Sequence, residues 1–463
     1  MLRLYDSLSR ELREIAADPH RPLGVYSCGP TVYDRIHVGN ARPFVLAMTL
    51  KRHLERSGIA VKLVVNITDV NDKIDLAARR LNVPSSAHAA AMTAAYIADT
   101  SRLGLGRPDV EPRVTETIAE IIELVEGLIE RGLAYPAAGS VYFRVGRFPS
   151  YGALSGQRTD ALLAEGRVEP GAGKESHLDF ALWKGREAGE DVSWPSPWGE
   201  GRPAWHIECS AMAIKHLGLT VDVHGGGTDL IFPHHENEIA QAEPVTGQAF
   251  VRTWMHNGML RFAGDKMSKS LGNVETLADA IDRWGAETIL GLLAQAHYRS
   301  AVDFTEETLM QAQQANAGLK EALRSLRRAS GSGAADALLI GEAEQTARRF
   351  DLAMDDDLRT PVALAELFGL RSSANSAIAS GRLSSDAGAR VADLVVSRLD
   401  VLGLAGLDAG EAAVPSEVLA LAQEREAARA RRDFARSDAL RDEIAVLGYE
   451  ARDRPGGFEL VPR

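Results

Sequence analysis

Two apolar runs, Leu23 to Tyr26 and Val61 to Ile67, flank a stretch of helical periodicity from Arg42 to Ser57 that stops at Gly58. Strand, helix and strand in this order form a βαβ unit, which favours a parallel, doubly wound sheet covered on both faces. The link between strand and helix holds most of the chemistry: Cys28 ends the strand, Gly29-Pro30 makes a turn, and His37-Val38-Gly39-Asn40 opens the helix. Such strand ends are where α/β sheets bind ligands.

The remaining chain is too long for one domain. Its 463 residues suggest two to four. Val114 to Arg131 reads as one amphipathic helix; from Ala137 to Pro203 the composition turns to Gly, Pro and charge, with short strands near Val141–Val145 and Leu178–Lys184. Strands resume at Thr220–Val223 and Phe250–Met255, so an insertion divides the sheet domain. Beyond Glu306 an Ala-, Leu-, Glu- and Arg-rich region reads as a helical bundle. A Gly- and Ala-rich joint, Leu404 to Val414, then leads to one arginine-rich helix and a terminal hairpin. The expected divisions are a Rossmann-like catalytic domain over 1–136 and 204–256, the insertion over 137–203, a stem-contact region with the lysine loop over 257–305, the bundle over 306–404 and a small mixed domain over 405–463.

Two cysteines in a chain of this size argue against a disulfide framework. No apolar run approaches a membrane span and Met1 to Asp6 lacks a secretion signal, so a cytoplasmic protein that does not enter membranes is expected. The net charge of −12 excludes a chain coated in nucleic acid but permits local basic patches. Arg425, Arg429, Arg431, Arg432, Arg436 and Arg441 form one such patch, although Glu424, Glu426 and Asp433 could equally make this a solvated helix of paired charges.

Trp205 to Met212 and Pro233 to Glu238 both suit helices, and there His234 and Glu238, four residues apart, share a face while His235 points elsewhere. With the two cysteines they make a set of two sulfurs, one nitrogen and one oxygen that zinc accepts. Residue types alone equally allow two small buried thiols and surface histidines. Gly225-Gly226-Gly227-Thr228-Asp229 after a strand would let backbone amides approach a nucleotide, with Asp229 on ribose hydroxyls, or would make a tight turn. Lys266-Met267-Ser268-Lys269-Ser270 is a cationic loop suited to polyphosphate, or a solvated one.

These pieces, in this order, resemble the cysteinyl-tRNA synthetases, a class I aminoacyl-tRNA synthetase family. The likeness spans Tyr26 to Arg42, Asn66 to Ile74, Leu178 to Lys184, Trp205 to Met212, Asp222 to Glu243, Lys266 to Ser270 and the terminal Arg432 to Asp442. Two positions depart from the family pattern: Asn40 replaces the second histidine of the His-Ile-Gly-His signature, and Asn71-Asp72 replaces an acidic pair. Asn40 still donates a hydrogen bond but cannot carry positive charge.

The resemblance implies attack of the cysteine carboxylate on the α-phosphate of ATP, giving cysteinyl-adenylate, then transfer to tRNA(Cys). His37, Asn40, Lys266 and Lys269 would stabilise the growing phosphate charge. ATP would lie on His37, Asn40, Gly225, Gly227, Asp229 and Lys269, and the amino acid near Gly29, Thr31, Thr68 and Trp205. A pocket working by size alone separates cysteine from smaller or isosteric competitors by about 10 to 200-fold per small group. The family instead selects the thiol on one zinc ion, whose ligands here would be Cys28, Cys209, His234 and Glu238, while Mg2+ accompanies ATP. The arginine-rich end and the bundle would hold the tRNA, and a monomer is the family habit. A rival ligase that passes cysteine to a sugar amine would lack that C-terminal region. A synthetase-like protein without catalysis would not need the lysine loop and four metal ligands together.

Overall fold

The computed structural model describes residues 1–157, 173–262, 265–266, 275–409, 415–454 and 457–462. Contacts divide the chain into a unit of residues 1–407 and a unit of residues 408–463.

The first unit is built on four parallel strands in the order Val251–Asn257, Val221–Gly227, Leu23–Ser27, Val61–Val65. Tyr26 stands opposite both Val64 and His224. Side-chain alternation sends neighbouring residues into two separate cores. Val25, Leu63, Val65 and Met255 join the core shared with the helix Val38–Arg56 and the bundle. Tyr26, Cys28, Val64 and Trp254 join the one shared with the helices Ile118–Glu130, Trp205–Leu217 and Glu236–Thr246 and the insertion. Asp222, 5 % exposed, takes both forks of Arg21 at 2.6 and 2.7 Å and the Gly24 N–H at 2.8 Å. Burial pushes its carboxyl upward, but Arg21, Gly24 and Arg252 outweigh that and hold it below the ordinary value.

From Leu23–Ser27 the chain crosses to Val61–Val65 on one side and, much later, fills Val221–Gly227 on the other. The carboxyl ends of Leu23–Ser27 and Val221–Gly227 therefore flank a topological switch point, the place where such sheets open a crevice. A separate antiparallel sheet, Ala134–Ala137, Ser140–Phe143, Phe180–Gly185 and Gly201–Pro203, begins three residues ahead of the expected insertion and surrounds buried Phe143 and Trp183. The bundle comprises Glu306–Arg327, Asp336–Asp355, Thr360–Ala379 and Ser385–Leu399.

Several boundaries differ from the sequence reading. The signature helix is Val38–Arg56, capped by His37 as the opening His37-Val38-Gly39-Asn40 predicts; it thus starts ahead of the periodic stretch from Arg42, and it accommodates Pro43 in its second turn. The expected helix from Val114 breaks at Thr117, whose φ of −131° is non-helical, leaving a short 3-10 turn and Ile118–Glu130. Gly225, Gly226 and Gly227 lie inside the strand and not in a loop after it. Gly225 pairs with Met255 and Ser27, and a side chain at Gly226 would come within 2.8 Å of the His235 ring. Gly226 thus serves close packing of a ring on a strand.

The second unit carries two arginine-bearing helices where one was expected, Ser416–Ala430 and Phe434–Val446. They part at Arg432, whose φ is +62°, and Asp433 caps the second by accepting the Arg436 N–H at 3.1 Å. The hairpin Tyr449–Arg454 with Gly457–Pro462 closes a small core of Val418, Ala422, Ile444, Ala451 and Leu460.

Candidate active site

Cys28 leaves the first strand with its N–H donated to the Gly225 carbonyl at 3.1 Å, which fixes the thiol at the switch point. Cys209 faces it from the second turn of Trp205–Leu217, with Sγ atoms 3.9 Å apart. Glu238, in the first turn of Glu236–Thr246, brings Oε1 to 3.7 Å from Cys28 Sγ and 3.1 Å from His234 Nε2. All four are buried, and their ligand atoms lie within 4.8 Å of one another.

Burial and the neighbouring Cys209 push the Cys28 thiol and the Glu238 carboxyl well above their ordinary values, and burial with nearby His206 pushes His234 down. The protein alone therefore favours neutral forms of all three. Among the described residues Glu238 Oε2 has no hydrogen-bond partner, and His224 Nε2 lies 3.6 Å from it. Two thiols, an imidazole and a carboxylate oxygen left unsatisfied in the interior fit a borderline-soft divalent cation. The sulfur spacing suits it as well, since two Zn–S bonds of about 2.3 Å at a tetrahedral angle separate sulfurs by about 3.8 Å.

His235 does not point elsewhere. Its Nε2 lies 3.3 Å from Cys28 Sγ, and Cys28, His224, His235 and Glu238 form a second close set overlapping the first. His235 has helical backbone, and it stands three residues before Glu238, a spacing that shares a helix face as the four-residue spacing of His234 does. His224 was also missed, yet strand alternation could have found it: it pairs with Tyr26, and Tyr26 and Cys28 share a face.

Beside the two thiols a cavity of about 270 Å³ opens, lined by Cys28, Gly29, Thr31, His37, Asn40, Trp205, Gly227 and Asp229 among others. Gly29 is needed for close approach, because a Cβ there would stand 1.7 Å from the Asn66 carbonyl oxygen. Trp205, 38 % exposed, lays its indole on His234 with ring centres 4.4 Å apart. His37 caps Val38–Arg56 with extended backbone, and no acidic residue occupies the first turn. Thr68 stands behind the lining: its hydroxyl donates to Glu208 Oε2 at 3.2 Å and its N–H to the Pro30 carbonyl, which supports the Gly29-Pro30 turn. Gly225 is buried in its strand and does not line the cavity. Lys266 lies in the short strand Asp265–Lys266, and Lys269 falls outside the described residues.

The model of class I (C) tRNA synthetase catalytic domains matches residues 16–314, that of DALR domains residues 349–406, and that of cysteinyl-tRNA ligase anticodon binding domains residues 411–459. A Cysteine--tRNA ligase of Brevibacillus brevis is 46% identical over 442 residues, covering 94% of this chain and 93% of that protein. One of Nitratidesulfovibrio vulgaris is 42% identical over 480 residues, covering 98% and 99%. The chain belongs to the cysteinyl-tRNA synthetase family.

Both candidate metal sets and the whole cavity lie in the part matched to the synthetase catalytic domain. The fold is that of a class I synthetase more widely. A Mycobacterium tuberculosis methionyl-tRNA synthetase in complex with methionyl-adenylate superposes with a TM-score of 0.61 over 83% of this chain and 90% of that one, at 16% identity. The LeuRS of an Agrobacterium radiobacter ternary complex gives 0.61 over 86% and 87%, at 11% identity. In the synthetase's C-terminal unit, Arg436 bonds to Glu424 and Glu443, and Arg441 pairs with Asp438. Among the described residues no helix is long and apolar enough to cross a membrane.

Proposed function

We propose that this protein joins L-cysteine to tRNA(Cys) at the expense of ATP, through a cysteinyl-adenylate. The observation that carries this reading is a thiol-rich metal cradle opening directly into the cavity that holds the signature residues His37 and Asn40. The amino-acid carboxylate is ionised at neutral pH, so activation needs alignment with the α-phosphate and stabilisation of phosphate charge, and no protein nucleophile. His37 and Asn40 at a helix N-terminus donate to phosphate oxygens, helped by the helix dipole, with Lys266 and Lys269 supplying positive charge. Asp229 and Gly227 take the ribose side, and Mg2+ travels with ATP. Gly29, Thr31 and Trp205 enclose the amino acid, and Thr68 supports that wall from behind. The transferred cysteinyl group passes to the terminal adenosine of the tRNA.

Cys28, Cys209, His234 and Glu238 would hold one zinc ion, which when bound supplies a soft Lewis acid that tells a thiol from serine's alcohol. The bundle and the C-terminal unit hold the tRNA, and the enzyme works in the cytoplasm as a monomer. Exchange of pyrophosphate into ATP that depends on cysteine and not serine, followed by charging of tRNA bearing a GCA anticodon, tests this reading. Exchange without charging of that tRNA would move the assignment to a ligase with another acceptor.

A further inference from the structure

Arg42, two residues beyond Asn40 on the signature helix, is 3 % exposed, and among the described residues it meets no carboxylate. Its guanidinium spends its donors on four backbone carbonyls. One terminal nitrogen donates to Gly258 and, at 3.3 Å, to Met259; the other donates to His297 at 3.3 Å and Ser300 at 2.7 Å. Burial lowers its pKa to about 10, which still leaves it charged at neutral pH. A buried cation shared among carbonyl dipoles holds backbone together at a fixed spacing, and a planar fork does this where an ammonium could not.

The two carbonyl pairs belong to different places. Gly258 and Met259 form part of the cavity wall, at the end of the strand Val251–Asn257. Residues 297–300 belong to the segment that follows Ala286–Ala294. The two also touch directly: the Gly258 N–H donates to the Tyr298 carbonyl at 2.8 Å, and a Cβ at Gly258 would stand 2.4 Å from the Ser300 oxygen.

Asp357 grips the same segment from its other side. It is 2 % exposed and lies at the turn between the bundle helices Asp336–Asp355 and Thr360–Ala379. Its Oδ1 accepts from the Tyr298 hydroxyl at 2.6 Å and the Tyr5 N–H at 2.9 Å, and its Oδ2 accepts from Arg299 at 3.0 Å. Its carbonyl lies 2.9 Å from His297 Nε2. Asp357 and Leu358 both take left-handed backbone, with φ of +62° and +48°, a conformation that non-glycine residues adopt only when the surroundings hold them there.

We propose that residues 297–300 form a strut that carries the position of the helical bundle to the wall of the adenylate cavity, with Arg42 and Asp357 as its two grips. The proposal rests on the synthetase reading above. Transfer requires a tRNA held by the bundle to meet an adenylate held by the wall, so the two need a fixed relation. Both residues are positioning residues and touch no substrate.

The test uses the full chain, with cysteine-dependent pyrophosphate exchange and tRNA charging measured beside thermal melting. Arg42→Lys keeps the charge and loses the fork; displacement of the wall should lower kcat for exchange about 100-fold while KM for cysteine holds within about two-fold. Asp357→Asn leaves exchange within about two-fold and lowers charging about ten-fold, the scale of one charge-assisted hydrogen bond. Tyr298→Phe, a milder change for which folding is not in question, lowers charging about three-fold in the same pattern. The double variant Arg42→Lys/Asp357→Asn should lose less charging than the product of the single losses, since one strut cannot be broken twice. Independent effects that multiply, or Asp357→Asn and Tyr298→Phe lowering exchange as much as charging, overturn the strut while leaving the synthetase reading intact. A wild-type chain without cysteine-dependent exchange overturns both.

Discussion

Behind the cavity lining, which Cys28 joins, Cys28, Cys209, His224, His234, His235 and Glu238 are all buried side by side, whereas in the C-terminal unit Arg436, bonded to two glutamates, and Arg441, beside Asp438, lie at the surface. The first arrangement is costly for the protein alone and stiff, because each desolvated donor needs a partner at fixed distance. The second consists of exposed pairs that solvent and salt screen, which open readily for a polyanion. Discrimination between small molecules calls for the former. Holding a large flexible nucleic acid suits the latter, where many weak contacts share the work.

The contrast breaks most directly at Cys209. Cys209→Ser should reduce cysteine activation by more than about 100-fold, since even outer-shell changes at metal sites cost 10 to 100-fold. Metal content should fall with it, and the melting temperature should move little; full activity without metal would remove the basis for thiol selection. Truncation before Val414 comes next. It should lower tRNA charging about ten- to 100-fold and leave pyrophosphate exchange within about two-fold, because many contacts are lost from one substrate only. Equal loss of both steps would show that the two regions do not divide the labour.

A buried carboxylate away from the cradle, held by a partly exposed arginine, sharpens the scale. Asp222→Asn should cost about 1–3 kcal/mol at pH 7 in denaturant melts. Because the folded carboxyl lies below its ordinary value, this contribution is present above the unfolded pKa of about 3.9 and fades as pH falls through the folded one, so wild type and variant should converge in acid. Arg436→Ala marks the other extreme: the melting temperature should barely move, and what shift there is should shrink as salt rises.

Much of this was legible in the residues. Apolar runs around a helical stretch announced the parallel sheet, and the order of motifs announced the family. What sequence could not supply came from local irregularity and from close approach. The sequence reading sets only the four-residue pair His234 and Glu238 on one face, although His235, three residues before Glu238, shares it too. The glycine run resembles a loop until the His235 ring is seen against Gly226. The arginine-rich helix was drawn whole because the left-handed residue that divides it, Arg432, is not a glycine. His224 was within reach through strand alternation.

Trp205 offers a further use of the site. Of six tryptophans, Trp183 and Trp254 are fully buried, whereas Trp205 stands at the cavity with its indole against the imidazole of His234. Emission from an indole responds to water and to the protonation or ligation of a stacked ring. Trp205 is thus a native optical reporter: loading the cradle or filling the cavity should alter its intensity and wavelength, so occupancy of the amino-acid site can be followed in real time without a label.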